Sequence, residues 1–345
     1  MLKDYLAHLL EGQHFSREQA EQAMGIIMSG QASQAQIGSF LTALRLKGIS
    51  GSEITGFAAA MRQHSLRIEC TRQDLLDTCG TGGDGKGTFN ISTTTAFVVA
   101  GAGLAIAKHG NRGISSSCGS ADVLTALGIK VDLTPQSVKQ SIDQIGIGFL
   151  YAPVFHQAMK YAAKPRQELG FRTVFNLLGP LTNPAGAERQ LIGVYEKEIA
   201  VKVAEALVGL GVQRAMVVHS FDGLDEISTS APTQVVEVQN GELKTYVIHP
   251  QELGFSLCDQ RAYRGGTPND NALLLRGVLQ GEPGPKRDVV LLNAAAALVV
   301  GGKAENLAEG LSVAAASLDS GAAYAKLTEL CKLTQTFAEE ELVLS

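Results

Sequence analysis

A glycine-rich segment directly after a predicted strand has the composition of an anion-binding loop. Residues 75–79 read as the strand, and Gly80-Thr81-Gly82-Gly83-Asp84-Gly85 follows it. Glycines let backbone N–H groups converge on an anion, and the start of the next predicted helix, residues 93–102, adds further donors. Polar side chains surround that helix start: Thr88, Asn90, Ser92, Thr93 and Thr94. The pattern is neither a P-loop nor a dinucleotide fingerprint. A glycine turn alone is often only structural, but this combination favours a phosphate site.

A second polar loop follows the next predicted strand, residues 104–107. It runs from Lys108 to Ser120 and sets lysine, histidine, asparagine and arginine among glycines and serines. This density of cations and hydroxyl groups suits a highly anionic ligand, whereas the competing interpretation is an ordinary solvated loop. Because two such loops follow two strands, we favour the ligand site. A helix is predicted next, over residues 122–127.

Adjacent carboxylates follow a third predicted strand, residues 215–219, in Asp222-Gly223-Leu224-Asp225-Glu226. Neighbouring carboxylates repel one another, and a divalent cation relieves that repulsion. Oxygen ligands suit Mg²⁺, which commonly bridges carboxylates and substrate phosphates. The alternative is a surface acidic turn, which the sequence alone leaves open.

Histidines and cysteines near these loops lack the sequence partners of acid–base or covalent catalysts. His109 has no evident orienting carboxylate, so we interpret it as a packing or substrate-contacting residue rather than a general base. Cys79 and Cys118 are interpreted as small buried fillers, since no cysteine–histidine pattern accompanies them. His156 is predicted to begin a helix that lines the cleft. No catalytic acid, base or nucleophile is therefore expected.

The first part of the chain, residues 1–66, is predicted to be helical. Three capping boxes mark helix starts, since the serine hydroxyl and the Gln or Glu side chain satisfy free N–H groups there. They are Ser16-x-x-Gln19, Ser33-x-x-Gln36 and Ser50-x-x-Glu53. We therefore predict a small N-terminal helical domain over residues 1–70.

From Asp74 onward, strand-like and helix-like stretches alternate. This alternation predicts an α/β domain, residues 71–345, with a mostly parallel central sheet covered by helices. Further predicted elements are helices 198–210 and 269–279, strand 234–238, and helices from Asp288 on. A segment rich in proline and glycine near residues 165–190 is predicted to return to the helical domain and to serve as a hinge.

The composition indicates a globular enzyme. Of the 345 residues, 45% are hydrophobic and 18% charged, and the net charge is −5. A nucleic-acid binder normally carries a basic surface, so no nucleic-acid partner is expected. The longest apolar runs are shorter than the roughly 18–20 residues that span a bilayer, and no signal peptide is recognised, so no membrane association is expected. The five cysteines form no C-x-x-C pair, which favours reduced thiols in the cytoplasm over disulfides or zinc.

Six segments, in their order and spacing, resemble the anthranilate phosphoribosyltransferase family. They read GTGGD from Gly80, NIST from Asn90, KHGNR from Lys108, GSADVL from Gly119, RTVFNLLGPLTNP from Arg172 and DGLDE from Asp222. The resemblance implies a nucleoside phosphorylase-like phosphoribosyltransferase fold and a homodimer formed through the helical domain. It also implies a Mg²⁺-dependent reaction of tryptophan biosynthesis. In this reaction 5-phosphoribosyl 1-diphosphate and anthranilate give phosphoribosylanthranilate and pyrophosphate.

The resemblance also implies roles for residues at matching positions. The positions for phosphoribosyl diphosphate are Gly80, Gly83, Asp84, Thr88, Asn90, Ser92, Thr93, Lys108, His109, Gly110, Asn111, Arg112, Gly113, Ile114, Ser115, Ser116 and Ser120. Those for anthranilate are Gly80, Asn111 and Arg166, with Arg172 helping to shape that site. Those for Mg²⁺ are Ser92, Asp225 and Glu226. Catalysis is then expected to rest on electrostatic stabilisation and positioning.

One departure from the family pattern is visible, because Ser117 stands where many members carry lysine. The loss of this positive charge is expected to weaken diphosphate binding somewhat. The nearest alternative is a pyrimidine nucleoside phosphorylase, which has a related fold but a longer chain. A non-catalytic relative that binds nucleic acid is a second alternative, disfavoured by the intact glycine loop and the net charge.

Overall fold

The computed structural model describes residues 1–113 and 117–344. The N-terminal helical unit contains four helices: α1 Leu2–Leu10, α2 Arg17–Met28, α3 Gln34–Lys47 and α4 Gly51–Gln63. Each predicted capping box is present, as at α2, where Gln19 N–H donates to Ser16 Oγ (3.2 Å) and Ser16 N–H donates to Gln19 Oε1 (2.9 Å). The helix starts were predictable because capping is local in sequence.

A seven-stranded sheet forms the centre of the rest of the chain, in the order β3-β2-β1-β4-β5-β6-β7. The first five strands run parallel, and β6 and β7 are added antiparallel. The strands are β1 Leu76–Asp77, β2 Ile106–Gly110, β3 Ile147–Tyr151, β4 Arg189–Gly193, β5 Arg214–Ser220, β6 Thr233–Gln239 and β7 Glu242–Ile248. The predicted fold class, a small helical domain with a mostly parallel α/β domain, is confirmed.

Helices cover both faces of the sheet, as the alternating side chains of β5 require. Met216 and Val218 pack with helices of the C-terminal part, whereas Ala215 and Val217 pack with the helix Lys197–Gly209 and the helical unit. The helices after β1 are α5 Ile91–Gly101, α6 Ser120–Ala126, α7 Pro135–Ile145, α8 Ala152–Phe155, α9 Lys160–Leu169, α10 Phe175–Leu178, α11 Lys197–Gly209, α12 Pro268–Leu279, α13 Pro285–Val300, α14 Leu307–Asp319 and α15 Ala322–Leu344. Within the described residues, no helix combines the length and apolar character needed to cross a membrane.

The strand order changes direction at β1, which lies between β2 and β4. Connections therefore lead away from β1 on both sides, and a crevice opens beside its carboxyl end, where open α/β sheets bind ligands. The segment after β3 forms a second wall of this crevice. It includes α9, which packs against α2 and α3 of the helical unit. The domain boundary at residue 70 and the hinge near residues 165–190 stay predictions.

Two predicted strand boundaries were wrong, and both errors concern the loops. The strand predicted over residues 75–79 is only Leu76–Asp77, because the chain turns into the glycine loop. The strand predicted over residues 104–107 begins only at Ile106 and extends through Gly110, because Lys108 and His109 pair with β3. Lys108 to Gly110 thus belong to β2, whose rigid backbone positions the Lys108 and His109 side chains.

Candidate active site

A cavity of about 560 Å³ opens at the carboxyl end of the parallel strands. The α/β side contributes the loop after β1, the start of α5 and the end of β2. The opposite wall comes from Met61 of α4, Arg166 of α9 and the segment around α10. The cavity therefore lies between the sheet and the helical unit, a common position for a small-molecule site.

Most residues predicted from the sequence meet in this cavity. Those that line it are Gly80, Gly83, Asn90, Ser92, Thr93, Lys108, His109, Gly110, Asn111, Arg112, Gly113, Ser120 and Arg166. Asp84, Thr88, Asp225 and Glu226 are outside its lining. Ile114, Ser115 and Ser116 lie outside the described residues.

The glycine loop is held against the end of β4. Thr81 N–H donates to the Gly193 carbonyl oxygen (2.8 Å), and Gly82 and Gly83 take φ values of 64° and 83°. A Cβ atom on Gly80 would stand 3.3 Å from Asp225 Oδ2 and 3.3 Å from the Gly193 oxygen. Glycine at these positions therefore permits both the backbone turn and the close approach to residues 222–226, called the acidic turn below.

Arg172 supports the glycine loop from the far side of the cleft. Its guanidinium donates to the Gly83 carbonyl oxygen and lies 4.4 Å from the centre of the Tyr195 ring. The segment after α9 is therefore in direct contact with the glycine loop, although the two are far apart in sequence.

Lys108 supplies a buried positive charge between the two loops. Its side chain is 4% exposed, and Nζ donates to the Thr78 carbonyl oxygen (3.1 Å), Thr78 Oγ1 (3.3 Å) and Ser92 Oγ (3.4 Å). These neutral oxygens fix the ammonium group in place while leaving its charge available to an anion in the cavity.

Asp122, at the start of α6, holds the two described ends of the second polar loop. Its Oδ2 accepts the N–H groups of Gly113 (2.8 Å) and Gly119 (3.0 Å), and its Oδ1 accepts from Arg112 Nη1 (2.9 Å). Arg112 also donates to the Tyr151 hydroxyl (3.2 Å). Part of the Arg112 guanidinium is therefore engaged by the protein itself.

Asp225 and Glu226 follow β5 and lie beside the glycine loop, with part of their surface open. Burial by the surrounding protein, followed by the negative charge of Asp84, raises the pKa of Asp225. Burial and the charge of Asp225 raise the pKa of Glu226. Asp84 Oδ2 is itself buried and has no hydrogen-bond partner within the described residues. Three carboxyl groups that are short of positive partners fit a divalent cation with oxygen ligands.

A second carboxylate, Asp77, lies close to Cys79 and His109, with one potential ligand atom of each within 4.8 Å of the others. Asp77 is already engaged, because Oδ1 accepts the His109 N–H (3.2 Å) and Oδ2 accepts from Asn183 Nδ2 (2.7 Å). Burial raises the pKa of Asp77 to about 6. We interpret this cluster as a support for β2.

The rings of His109 and His156 lie 5.0 Å apart at the cavity wall. Burial lowers the pKa of His109 to about 3 and that of His156 to about 4, so both rings are neutral near pH 7. His109 Nδ1 lies 3.1 Å from the Gly179 carbonyl oxygen. An oxygen there only accepts, so the proton is on Nδ1 and Nε2 is free to accept from a ligand. The prediction that a helix begins at His156 was wrong, because α8 ends at Phe155 and His156 precedes a 3₁₀ turn.

Arg166 lies on the cavity wall opposite the glycine loop. Burial lowers the pKa of its guanidinium, which stands 5.2 Å from the centre of the Phe175 ring. Among the residues that the structure describes, it makes no salt bridge with a carboxylate. A buried arginine without such a partner is well suited to bind the carboxylate of a ligand.

Several lining residues were not predicted from the sequence. Met61, Phe175, Asn176, Pro180 and Thr182 shape the wall around Arg166. The proline- and glycine-rich segment that holds the last four was recognised, but nothing in it indicated which side chains would face the cavity. Met61 gave no signal, since it belongs to the apolar face of an ordinary helix.

Two family descriptions match the chain, one for each part. "Glycosyl transferase family, helical bundle domain" matches residues 3–65, and "Glycosyl transferase family, a/b domain" matches residues 72–324. The anthranilate phosphoribosyltransferase of Moorella thermoacetica is 54% identical over 98% of this chain and 100% of its own length. The chain belongs to the anthranilate phosphoribosyltransferase family. Identity of this extent over the full length favours that family over the pyrimidine nucleoside phosphorylases.

Solved structures of the anthranilate phosphoribosyltransferase family agree with this assignment. The Thermus thermophilus structure has a TM-score of 0.91 and 43% identity, covering 96% of this chain and 99% of that one. A Saccharomyces cerevisiae structure in complex with PRPP and Mg has a TM-score of 0.89 and 31% identity, covering 97% and 98%. The same yeast protein in complex with 4-fluoroanthranilate has a TM-score of 0.87 and 30% identity, covering 97% and 98%.

Proposed function

We propose that the chain transfers the 5-phosphoribosyl group of 5-phosphoribosyl 1-diphosphate to the amine of anthranilate and releases pyrophosphate, in a Mg²⁺-dependent reaction of tryptophan biosynthesis. The observation that carries the proposal is the pairing of two unlike walls in one cavity. One wall offers backbone N–H groups, hydroxyls and Lys108, which suit phosphates. The other offers Arg166 beside an apolar ring, which suits an aromatic carboxylate.

The phosphoribosyl diphosphate site is assigned to the glycine loop, the start of α5 and the end of β2. Gly80, Gly83 and Asp84 belong to the first, Thr88, Asn90, Ser92 and Thr93 lie at or just before the second, and Lys108 to Gly113 lie at or just after the third. Ser120, at the start of α6, completes the assignment. The N-terminus of α5 and the ammonium of Lys108 both favour negative charge at this point. Ile114, Ser115 and Ser116 are retained in the assignment on the resemblance alone.

The anthranilate site is assigned to Arg166 and Asn111, with the Gly80 backbone nearby. The guanidinium can hold the carboxylate with two parallel hydrogen bonds, and Phe175 gives the ring an apolar neighbour. The yeast relative binds 4-fluoroanthranilate, which supports an aromatic amine of this size in the same fold.

Mg²⁺ is assigned to Asp225, Glu226 and Ser92, and Asp84 lies beside them. Burial, together with the negative charges of neighbouring carboxylates, raises the pKa values of Asp225 and Glu226, and a bound cation would offset both causes. The yeast relative with PRPP and Mg supports the choice of ion. When bound, Mg²⁺ would neutralise the diphosphate and so make it a better leaving group.

The protein itself has little acid–base work to do in this reaction. The bond from ribose C1 to the diphosphate oxygen breaks and leaves positive character at C1, which the amine nitrogen of anthranilate attacks. The proton that the amine then loses passes to the released pyrophosphate or to solvent. His109 and His156 are neutral, so they add no positive charge beside this centre. The remaining contribution is to hold amine and C1 together and to stabilise the leaving diphosphate with Lys108 and backbone N–H groups.

The test is the loss of anthranilate fluorescence when phosphoribosyl diphosphate is added, with and without Mg²⁺. The proposal expects loss only with both phosphoribosyl diphosphate and Mg²⁺. Equal loss in the presence of a chelator would remove the Mg²⁺ assignment. No loss in any mixture, from folded protein, would remove anthranilate as the acceptor, and phosphorolysis of thymidine or uridine would then be assayed.

A homodimer formed through the helical unit and a cytoplasmic location complete the proposal. The homodimer follows from the family resemblance, and the cytoplasmic location from five cysteines that form no C-x-x-C pair. Light scattering of the purified protein at several concentrations tests the first, and fractionation of cells tests the second. A monomer at micromolar concentration would contradict the homodimer.

A further inference from the structure

Asn271 is a buried asparagine outside the six segments that resemble the family. Through the side chain of Asn90 it links the turn before α12 to the second polar loop. Asn271 lies in α12 and is 1% exposed. Its Nδ2 donates to Asn90 Oδ1 (2.9 Å), and its Oδ1 accepts the Gly266 N–H (2.8 Å). Asn90 in turn donates through Nδ2 to the Cys118 carbonyl oxygen (3.2 Å).

The direction of this chain of hydrogen bonds is fixed at both ends by backbone groups. The Gly266 N–H only donates, so Asn271 must turn its oxygen toward Gly266 and its nitrogen toward Asn90. Asn90 must then present its oxygen to Asn271, which leaves its nitrogen for the Cys118 carbonyl, a group that only accepts. Reversing either amide would set like groups against one another in a buried place. The Cys118 thiol, 3.4 Å from Asn90 Oδ1, is a second donor to the same oxygen.

The orientation matters because Asn90 lines the cavity at the start of α5. Its amide nitrogen carries two hydrogens, and the bond to Cys118 uses one of them. Among the residues that the structure describes, the other hydrogen has no acceptor, so it can be donated to a ligand. An amide nitrogen facing an anion attracts it, whereas an amide oxygen in the same place would repel it.

We propose that Asn271 is a positioning residue that sets the Asn90 amide with its nitrogen toward phosphoribosyl diphosphate. This inference rests on the proposed function, in which Asn90 contacts that substrate. A link between the turn before α12 and the second loop supports it, because Ser117 Oγ donates to the Gly266 carbonyl oxygen (3.1 Å). The Gly266 backbone thus contacts Asn271 through its N–H and the second polar loop through its carbonyl oxygen.

Asn271→Asp tests the direction of the network. The carboxylate still accepts the Gly266 N–H but no longer donates to Asn90, so Asn90 must reverse and turn its oxygen away from Asp. We expect the KM for phosphoribosyl diphosphate to rise about tenfold, with the KM for anthranilate changed by less than about twofold. Asn271→Ala, which frees the amide without reversing it, should raise the first KM by less.

A double-mutant cycle separates this reversal from simple charge repulsion. In an Asn90→Ala background, the proposal expects Asn271→Asp to add little to the KM for phosphoribosyl diphosphate. An undiminished effect in that background would overturn the inference, because the new charge would then act directly. If Asn271→Asp does not fold, Asn271→Ala in the same two backgrounds supplies the cycle.

Further readouts keep the outcomes distinct. A merely structural role predicts that Asn271→Ala lowers Tm more than Asn271→Asp and raises both KM values together, which would also overturn the inference. If Asn90→Ala alone leaves the KM for phosphoribosyl diphosphate unchanged, the proposed contact of Asn90 fails as well. Asn306→Asp, at the exposed N-terminal cap of α14, is the matched control for the added charge.

Discussion

The helical unit and the acidic turn after β5 each contain carboxylates enclosed by protein, but the pKa values of these carboxylates shift in opposite directions. Glu53 of α4 is 0% exposed, yet its pKa lies below the ordinary value. Asp225 and Glu226 also lie among protein groups, but their pKa values are raised. Burial acts to raise the pKa of all three carboxyl groups, and the number of positive and N–H partners decides whether that rise is offset.

Glu53 is fully paired within the helical unit. Burial by itself raises its pKa, but Lys47 Nζ (2.8 Å), the Phe15 N–H (3.0 Å), the Ser50 N–H (2.8 Å) and His14 (2.9 Å) more than compensate. The same carboxylate completes the capping box of α4 and ties the start of α2 to α3. A buried charge that the fold pairs so completely is a structural element.

The acidic turn is under-compensated in the protein alone. Asp225, Glu226 and Asp84 repel one another, and Lys108 is the positive side chain whose charge lowers the pKa of Glu226. Such an arrangement is costly unless a ligand supplies the missing charge. The contrast indicates that a buried carboxylate left unpaired by its own fold is a sign of a ligand site.

Neutralising both carboxylates of the turn should have the largest effect. For Asp225→Asn with Glu226→Gln we expect turnover at limiting Mg²⁺ to fall about a hundredfold or more, because the ligands for the ion are lost. Removing two mutually repelling charges should leave Tm unchanged or raised. Steady-state kinetics and thermal unfolding check the two parts. Unchanged turnover at limiting Mg²⁺ would show that the ion is bound elsewhere.

Glu53→Gln should do the reverse, lowering stability while sparing the chemistry. The Lys47 side chain is 4% exposed, so the change leaves a buried ammonium without its counter-charge, at a cost of about 3 kcal/mol. Denaturant unfolding measures the loss, and kcat per folded molecule should stay within about twofold of the parent. Glu329→Gln is the matched control, since Glu329 is 45% exposed in its pair with Lys326 and should cost under about 1 kcal/mol. Equal losses for the two variants would contradict the comparison.

Mg²⁺ given with pyrophosphate should raise the Tm of the parent protein by a few degrees, following roughly 2 kcal/mol of binding linkage. Pyrophosphate without Mg²⁺ is the control. Glu53→Gln should keep this Mg²⁺-dependent shift, because its change lies in the helical unit. Asp225→Asn with Glu226→Gln should lose it, and a full shift in that variant would argue against the acidic turn as the metal site.

The smallest expected effect is a pH dependence of the Glu53 contribution. The folded pKa is below the ordinary value of 4.5, so the stabilisation is fully present above about pH 4.5 and is lost as pH falls through the folded pKa. The difference in unfolding free energy between the parent and Glu53→Gln should therefore shrink below about pH 4.5. A difference that stays constant down to about pH 3 would mean that Glu53 does not stabilise the fold through its charge.

The sequence by itself determined the features that depend on neighbouring residues. The capping boxes of α2, α3 and α4, the alternation of strands and helices, and the polar segments at three strand ends are all local patterns. Parallel strands bring their carboxyl ends to one edge, so even the meeting of the glycine loop with the loop after β2 followed from the pattern. Family resemblance then indicated the chemistry.

Only the tertiary structure decided which groups are paired and which are left for a ligand. It showed that Glu53 is compensated by residues from three segments, that Arg166 has no carboxylate partner among the described residues, and that Asn271 donates a hydrogen bond to Asn90. Each of these facts depends on contacts between residues distant in sequence. The physical reason is that the charge and direction of a polar group in a protein are set by its spatial neighbours, and periodicity in the sequence does not specify them.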